Sequence, residues 1–296
     1  MFPNCRITDR KEFYNNSDLV VFHYNDLDFM KFPRYRNSEQ IWLLYSYESP
    51  KYRYEYPNTV QVDFNATALY HSISDIMLPY GETEKYPNLD YQPDLSNKIA
   101  PILWIVSHCL TLGRRDDYVK ILKKHIKIDI YGPCYTPSLQ CPKKNFDRCQ
   151  AVLYKKYYFY LAFENSFCEE YATEKVFLAL KHDIVPIVLG ASNYTRILPP
   201  NSFIDARKYH PRELAALLKN LVANRKEYLK YFDWKQKYRV HGDRHSNDHL
   251  ICEACRYLQK YKSGKVKRKS VPFKLINRFM LSTCWPLNWI EKLIKN

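Results

Sequence analysis

The chain has 296 residues, and 46 Lys and Arg against 31 Asp and Glu give it a formal net charge of +15. Its hydrophobic fraction of 46% and charged fraction of 26% are those of a globular protein, so the composition excludes an intrinsically disordered, collagen-like or coiled-coil chain. Because domains commonly hold about 150 residues, this length predicts two domains.

The chain has only 6 Gly, and neither of the glycine-rich phosphate-binding patterns, G-x-G-x-x-G or G-x-x-x-x-G-K-[ST], occurs in it. Any bound phosphate must therefore be held by side chains. The surplus of positive charge attracts polyanions in general, which leaves nucleic acid, an acidic membrane surface and a nucleotide substrate open. The 27 Tyr would suit base stacking, so a single-stranded nucleic-acid-binding module is the alternative to an enzyme.

Short apolar runs predict buried strands at 19–22 and 41–45, and a run that alternates apolar with polar residues predicts a half-exposed strand at 60–64. A cluster of Pro, Asn and Asp predicts a linker at 87–93. Further along, strands are predicted at 102–106, 126–131, 156–163 and 184–189, with helices at about 115–125, 171–181 and 211–231. This alternation builds a parallel sheet covered by helices, and ligands bind at the carboxyl ends of its strands. The residues after Phe163 and around Gly190 are therefore expected at a ligand site.

The helix predicted at 171–181 carries a polar face. Tyr171, Glu174, Lys175 and Leu178 follow the spacing i, i+3, i+4 and i+7, which places them on one side of a helix. A carboxylate there can accept hydrogen bonds from ribose hydroxyls. An ammonium near the helix N-terminus can neutralise a phosphate oxygen.

Nine cysteines leave one unpaired. In an oxidising compartment their clustering predicts a disulfide framework, whose candidates are Cys5, Cys134, Cys141, Cys149, Cys252 and Cys255. Pairing of Cys5 with Cys252 or Cys255 would join the two ends of the chain, and both partners stay open. The same compartment would allow glycosylation at three Asn-x-Ser/Thr triplets, which begin at Asn15, Asn65 and Asn193.

Four motifs carry a family resemblance: FYLAFENS (159–166), EYATEK (170–175), VPIVLG (185–190) and PPNSFI (199–204). Together they closely resemble the signature of the α1,3-fucosyltransferase family. The similarity runs from about Ile41 to Cys255, through FNAT (64–67), SDIMLPYG (74–81), WIVS (104–107) and YFDWK (231–235).

The resemblance implies an α/β fold of two Rossmann-like domains of the GT-B type. Residues 1–95 would form an acceptor-binding Rossmann-like domain, 96–240 a GDP-fucose-binding domain, and 241–296 a C-terminal cysteine-containing segment and basic tail. The implied reaction moves L-fucose from GDP-fucose in α1,3 linkage to N-acetylglucosamine of glycoprotein glycans, with inversion. No cofactor is required, and a divalent cation is expected to stimulate at most. A catalytically inactive family member is a further alternative.

The resemblance also implies roles for individual residues. Glu174 corresponds to the ribose contact and Lys175 to the pyrophosphate contact, and Asn165 and Tyr171 match further donor-site positions. A family arginine corresponds best to Arg115, with Arg114 as the competing assignment. The Tyr47-Glu48-Ser49-Pro50 corner resembles the corner that carries the general base, which makes Glu48 the expected base.

Two patterns suggest metals. Asp26-Leu27-Asp28 matches the Asp-x-Asp that many glycosyltransferases use for manganese, but GT-B-type enzymes usually use basic side chains instead, so no metal is predicted. His241, His245 and His249 precede Cys252 and Cys255; polar interruptions favour a loop there, and the family's comparable Cys-x-x-Cys forms disulfides rather than a zinc site.

The resemblance further implies a single-pass type II protein of the Golgi membrane with a lumenal catalytic domain. Its anchor would lie upstream of this chain, because the first residues lack the basic and apolar regions of a leader. The expected partners are GDP-fucose and a glycoprotein or oligosaccharide acceptor, without nucleic acid. The basic run at 265–269 is assigned no function.

Overall fold

The computed structural model describes residues 5–27, 30–50, 60–87, 89–135, 141–242, 247–286 and 288–295. The chain folds into two compact units: residues 1–80 with 244–284, and residues 81–243 with 285–296. The predicted boundary after residue 95 therefore lies too late, because β-strand 82–85 pairs with strand 238–241 inside the second unit. The predicted separate segment at 241–296 is also corrected, since strand 271–272 pairs with strand 63–64 of the first unit.

The strands, in chain order, are β1 (Leu19–His23), β2 (Ile41–Ser46), β3 (Asp63–Phe64), β4 (Ala66–Leu69), β5 (Ile76–Met77), β6 (Glu82–Lys85), β7 (Ala100–Ile105), β8 (Ile128–Tyr131), β9 (Tyr157–Phe163), β10 (Val185–Leu189), β11 (Ile204–Asp205), β12 (Tyr238–His241) and β13 (Val271–Pro272). The α-helices are α1 (Arg115–Leu122), α2 (Phe146–Lys156), α3 (Glu174–Leu180), α4 (Tyr194–Ile197), α5 (Pro211–Ala223), α6 (Arg225–Leu229), α7 (Asn247–Lys262), α8 (Phe273–Ser282) and α9 (Trp289–Lys295). Among the described helices, none combines the length and apolar character that crossing a bilayer requires.

Each unit is built on a parallel sheet. The first has the strand order β1-β2-β4-β5 and the second β11-β10-β9-β7-β8, with parallel pairing throughout. In the second sheet β10 is buried along its whole length, and β9 in all but one residue. These strands are continuous apolar runs because helices cover both faces of a parallel sheet.

Several elements differ from the predicted ones. Helix α3 begins at Glu174, so Tyr171 lies in the preceding loop and does not share the predicted helical face. The helical stretch at 211–231 divides at Asn224, whose side chain accepts a hydrogen bond from the Glu227 N–H and so caps α6. Only Asp63 and Phe64 of the run at 60–64 form a strand. The loop expected around His249 is helix α7 from Asn247 onward.

All nine cysteines lie in the described residues. The disulfides are Cys5–Cys255, Cys109–Cys134 and Cys141–Cys149, and Cys168 and Cys284 are also disulfide-bonded. Cys252 is free, which corrects its place among the candidates. Helix geometry gives the reason: Cys255 is buried one turn further along α7, whereas Cys252 is half-exposed, so α7 presents one of the two thiols to Cys5.

The structure describes part of each of the two sequence patterns that suggested a metal site. Cys255 is a disulfide sulfur and cannot serve as a thiolate ligand, while His245 lies outside the described residues. Asp28 also lies outside them. Asp26 accepts a hydrogen bond from His23 Nδ1 at 2.8 Å.

Asn65 is 2% exposed, which corrects its place among the glycosylation candidates. Its Oδ1 accepts from the Trp42 N–H at 2.8 Å, and its Nδ2 donates to the Lys269 carbonyl at 2.7 Å. An amide used in this way has no nitrogen free for a glycan, and its hydrogen bonds join the start of β2 to the segment before β13. Asn15 and Asn193 are exposed, as a glycan requires.

The second unit also contains a half-buried lysine away from the ends of the strands where a ligand is expected. Lys98 precedes β7, and its Nζ donates to the Tyr154 and Tyr157 carbonyls at 2.9 and 2.5 Å. Burial lowers the pKa of Lys98 to about 7, and the positive charge of Lys235 acts in the same direction while Asp183 opposes it.

This lysine predicts a pH dependence of stability. Between about pH 7 and about pH 10 the unfolded chain binds more protons at Lys98 than the folded chain, so the free energy of unfolding should rise with pH there. Urea titrations should show the rise in the wild type and in an exposed control, Lys226→Met, and a smaller one in Lys98→Met. Equal slopes in all three proteins would contradict the assignment.

Candidate functional site

The loops that follow β7, β9 and β10 lie at the same edge of the second sheet, because β9 stands between the other two strands and all three are parallel. The first two loops are in contact: the Gly113 N–H donates to the Asn165 carbonyl at 3.0 Å. A Cβ at Gly113 would stand 3.0 Å from that oxygen, so this approach favours glycine. The edge is where the sequence predicts a ligand.

Backbone strain is concentrated in these loops. Among the described residues, the non-glycine positions with positive φ are Leu110, Arg114, Glu170 and Asn201, and the first three belong to the loops after β7 and β9. Such conformations cost of order 1–3 kcal/mol each and are held in place by their surroundings. The Cys109–Cys134 disulfide fixes part of the first loop. The strain therefore coincides with the predicted ligand site.

A buried ion pair lies immediately after β9. Glu164 is 0% exposed, and its carboxylate accepts hydrogen bonds from the Thr173 N–H at 2.8 Å and the Thr173 hydroxyl at 2.9 Å. The Lys175 ammonium lies 3.3 Å from Glu164 Oε2, 3.4 Å from Glu174 Oε1 and 2.7 Å from Thr173 Oγ1. Lys175 is thus fixed at the start of α3, with a fifth of its side-chain surface still exposed.

Each charge of this ion pair favours the ionised form of the other group. Burial raises the pKa of Glu164, although the Lys175 ammonium opposes the rise. Burial alone would lower the pKa of Lys175, but Glu164 and Glu174 outweigh it and raise that pKa. The ammonium therefore stays charged at neutral pH. Neither sequence periodicity nor the motif comparison assigned a role to Glu164, although a carboxylate directly after a wholly apolar strand is a signal that could have done so.

Arg115 is a buried guanidinium at the same edge. It is 3% exposed, and it donates from Nη1 to the Phe163 carbonyl at 2.6 Å and from Nη2 to the His108 carbonyl at 3.0 Å. Its Nε is buried without a hydrogen-bond partner, and it forms no ion pair with the described residues. Burial lowers the pKa of Arg115. An arginine so placed still keeps its charge, and the charges of Asp116 and Glu164 partly offset the effect of burial on its pKa.

The competing residue, Arg114, is engaged elsewhere. Its guanidinium forms ion pairs with Asp117, at 2.8 Å, and with Glu291. These carboxylates satisfy the charge of Arg114, whereas Arg115 forms no ion pair with a described residue.

The remaining predicted donor-site residues lie around the loop after β9. Asn165 is half-buried, and its side-chain Oδ1 is buried without a hydrogen-bond partner among the described residues. Tyr171 is 1% exposed. The Glu174 side chain is 41% exposed at the first turn of α3. The structure thus gathers Arg115, Asn165, Tyr171, Glu174 and Lys175 at one edge of the sheet.

The end of β10 adds residues that the sequence did not single out. Arg207 donates to the Gly190 and Ser192 carbonyls at 3.1 and 3.0 Å and pairs with Asp205. The Tyr194 hydroxyl is buried and has no hydrogen-bond partner in the part of the chain that the structure describes, and it would lie 2.5 Å from a Cβ at Gly190. No sequence motif predicts that Tyr194 belongs to this site, because its closeness to Gly190 arises from the fold of the loop after β10.

Glu48 belongs to the first unit and follows β2. Ser46 fixes its backbone: the Glu48 N–H donates to Ser46 Oγ at 3.0 Å, and that hydroxyl lies 3.1 Å from the Glu48 carbonyl. The Tyr80 hydroxyl donates to the Tyr47 carbonyl at 2.7 Å. The half-buried Glu48 therefore sits on an anchored corner at the carboxyl end of a parallel strand.

Two family models match the chain. The model described as "Fucosyltransferase, N-terminal" matches residues 1–81. The one described as "Glycosyltransferase family 10 (fucosyltransferase) C-term" matches residues 95–272.

Curated relatives of this chain are also named as fucosyltransferases. The chain is 32% identical over 263 residues to alpha-(1,3)-fucosyltransferase C of Drosophila melanogaster, covering 80% of this chain and 61% of that protein. It is 35% identical over 266 residues to 4-galactosyl-N-acetylglucosaminide 3-alpha-L-fucosyltransferase FUT5 of Gorilla gorilla gorilla, covering 86% and 68%. The human FUT6 protein of the same description is 34% identical, with coverages of 86% and 71%. The chain thus spans less than two thirds of the Drosophila relative.

Solved structures agree on the fold. Crystal structures of an alpha1,3-fucosyltransferase, without a stated ligand and with GDP-fucose, match with TM-scores of 0.52 and 0.50 at 16% identity, each covering 82% of this chain and 77% and 78% of the other. The predicted α/β fold of two Rossmann-like domains of the GT-B type is confirmed, as is the predicted family. On these matches, the chain belongs to glycosyltransferase family 10, the fucosyltransferases.

Proposed function

We propose that this chain transfers L-fucose from GDP-fucose in α1,3 linkage to N-acetylglucosamine of glycoprotein glycans, with inversion at the anomeric carbon. The observation that carries the proposal is the buried guanidinium of Arg115, which forms no ion pair with a described residue and lies at the same edge of the second sheet as the Lys175 ammonium. The two cations are close enough for Arg115 to lower the pKa of Lys175. A diphosphate bound at this edge would accept charge-assisted hydrogen bonds from such cations.

The donor contacts follow from this arrangement. Lys175 would bind a phosphate oxygen of GDP, and Arg115 would add positive charge beside it. Glu174, partly exposed at the start of α3, would accept hydrogen bonds from the ribose hydroxyls. Asn165 and Tyr171 would line the same site, and the unpartnered Asn165 Oδ1 is an acceptor available to a ligand.

The reaction needs two charge movements. As the acceptor oxygen forms its bond to the anomeric carbon, the bond from that carbon to the β-phosphate oxygen breaks, and GDP leaves with the electron pair. The fixed charges of Lys175 and Arg115 would stabilise the charge that grows on this oxygen. Glu48, a residue of the first unit, would take the proton of the attacking hydroxyl as general base. No step calls for a metal ion.

The cellular setting belongs to the proposal as well. The disulfides, the exposed triplets at Asn15 and Asn193 and the relatives support a lumenal enzyme of the Golgi, held by a membrane anchor upstream of this chain. Protease protection of the full-length protein in sealed Golgi vesicles would test this location. Digestion without detergent would contradict it.

The activity is tested by incubating the chain with GDP-fucose and a panel of N-glycan cores and antennae that contain N-acetylglucosamine. We expect a fucosylated product whose linkage, determined by NMR, is α1,3, and the panel would identify the acceptor. GDP binding without transfer to any acceptor would overturn the proposed activity and favour an inactive family member. Absence of GDP binding would overturn the donor site itself.

A further inference from the structure

The first unit contains a basic cavity that the proposed reaction does not use. It measures about 380 Å³ and is lined by Arg36, Asn65, Arg268, Lys269 and Ser270. This volume is within the range of small-ligand sites. Asn65 bonds to Trp42 at the start of β2, whereas Glu48 follows the end of that strand, so the cavity lies at the opposite end of β2 from the proposed base.

Arg36 is held rigidly in this cavity. Its Nη1 donates to the Asp63 carbonyl at 2.8 Å, its Nη2 donates to Asn65 Oδ1, and its guanidinium carbon lies 4.2 Å from the centre of the Trp42 ring. These bonds use two of its five N–H donors, and Nε is buried without a hydrogen-bond partner among the described residues. An oriented cation with unused donors can bind an acceptor that the described residues do not supply.

The second guanidinium comes from the basic run at 265–269. The end of this run is held by two contacts of Lys269. Asn65 Nδ2 donates to the Lys269 carbonyl, and the Lys269 ammonium lies 2.7 Å from Asp75. Arg268 makes only a long contact of 3.5 Å to the Gln40 carbonyl and no ion pair with a described residue. Burial and then the nearby Arg268 lower the pKa of Arg36, so the two guanidinium groups repel each other.

The neighbouring carboxylates do not cancel these charges. Asp75 is engaged by Lys269 and by the Thr67 N–H and hydroxyl. Asp63 accepts from the Ser270 hydroxyl at 2.7 Å, and its charge acts on Arg36 more weakly than that of Arg268. Three cationic side chains thus face two carboxylates, and the uncompensated charge lies between Arg36 and Arg268.

We propose that this cavity is a binding site for a sulfate or phosphate group, held between the guanidinium groups of Arg36 and Arg268. A tetrahedral oxyanion presents several acceptors at once and suits the planar fork of arginine better than a point-charge partner would. The group could be the free ion or an ester on a larger molecule. The site gives the basic run a role and does not depend on the proposed transferase activity.

The test is calorimetric titration of the whole chain with inorganic sulfate, inorganic phosphate and N-acetylglucosamine 6-sulfate at constant ionic strength. We expect saturable binding that Arg268→Gln weakens by roughly ten-fold or more, as the loss of a charge-assisted hydrogen bond should. The matched control is Lys267→Gln, an exposed neighbour in the same run that loses the same charge. It should bind like the wild type. Tighter binding of the sugar sulfate would identify an ester as the ligand, and tighter binding of an inorganic ion would identify the free ion.

Three results would overturn the site. One is absence of saturable binding for all three probes. Another is equal weakening in both variants, which would mean general attraction by the basic run. The third is loss of GDP affinity in Arg268→Gln, which would assign this arginine to the donor. Thermal unfolding of each variant establishes that it is folded before titration.

Discussion

Lys175→Met should reduce kcat/KM for GDP-fucose by about 10²–10³, the range found when one fixed electrostatic donor is removed from an active site. Two effects contribute. The ground-state complex loses a charge-assisted contact to the diphosphate, which weakens donor affinity. The transition state loses more, because negative charge on the β-phosphate oxygen grows as the bond to fucose breaks. Both KM for the donor and kcat should therefore change.

The same substitution also carries a structural cost that must be separated from the catalytic one. Glu164 is 0% exposed, and without Lys175 it would keep Thr173 as its neighbouring hydrogen-bond donor. We expect a loss of about 2–4 kcal/mol in stability, near the low end for a broken buried pair, because Thr173 still stabilises the carboxylate. Combining Lys175→Met with Glu164→Gln removes the unpaired charge and should recover much of this loss.

Urea unfolding, GDP calorimetry and donor kinetics on the single and double variants distinguish the two costs. If Lys175 binds the diphosphate, the double variant regains stability while donor affinity and turnover stay low. If Lys175 merely neutralises Glu164, the double variant regains both, and the proposed phosphate contact is wrong. Lys219→Met, on the exposed face of α5, makes the same side-chain change and should leave all three measurements unaltered.

The second sheet was predictable because its strands are continuous apolar runs that alternate with helical segments. β9 and β10 occur where the apolar runs indicate, and both belong to the parallel sheet that the alternation predicts. The start of α3 was less predictable. Tyr171 fits the helical spacing, but the Thr173 N–H bonds to Glu164, a contact nine residues away in the chain. Spacing within a helix carries no information about that contact.

The division of the chain into two units also depends on contacts between distant residues, which the sequence pattern does not reveal. The segment after residue 241 was expected to stand apart, since it is cysteine-containing and basic. It folds into the first unit through pairing of β13 with β3 and through the Cys5–Cys255 disulfide, partners that lie far apart in the chain. The choice of Cys255 over Cys252, and the burial of the Asn65 triplet, likewise depend on which side of an element faces the core. Family motifs do not encode that.

Glu48→Gln should lower kcat by about 10²–10⁴, the usual contribution of a general base. Glutamine keeps the shape of the side chain but cannot accept the proton of the attacking hydroxyl. The corner itself should survive, because Ser46 and Tyr80 bond to the backbone of Tyr47 and Glu48 rather than to the carboxylate. Donor affinity should stay unchanged, because the proposed donor contacts belong to the other unit.

A matched control makes this prediction specific. Glu39→Gln makes the same side-chain change at an exposed residue just before β2, whereas Glu48 follows that strand. This control should retain the wild-type rate. An equal loss of rate in both variants would mean that the effect does not depend on the position of Glu48. An equal rate in wild type and variant would mean that no carboxylate at this corner takes part in the transfer.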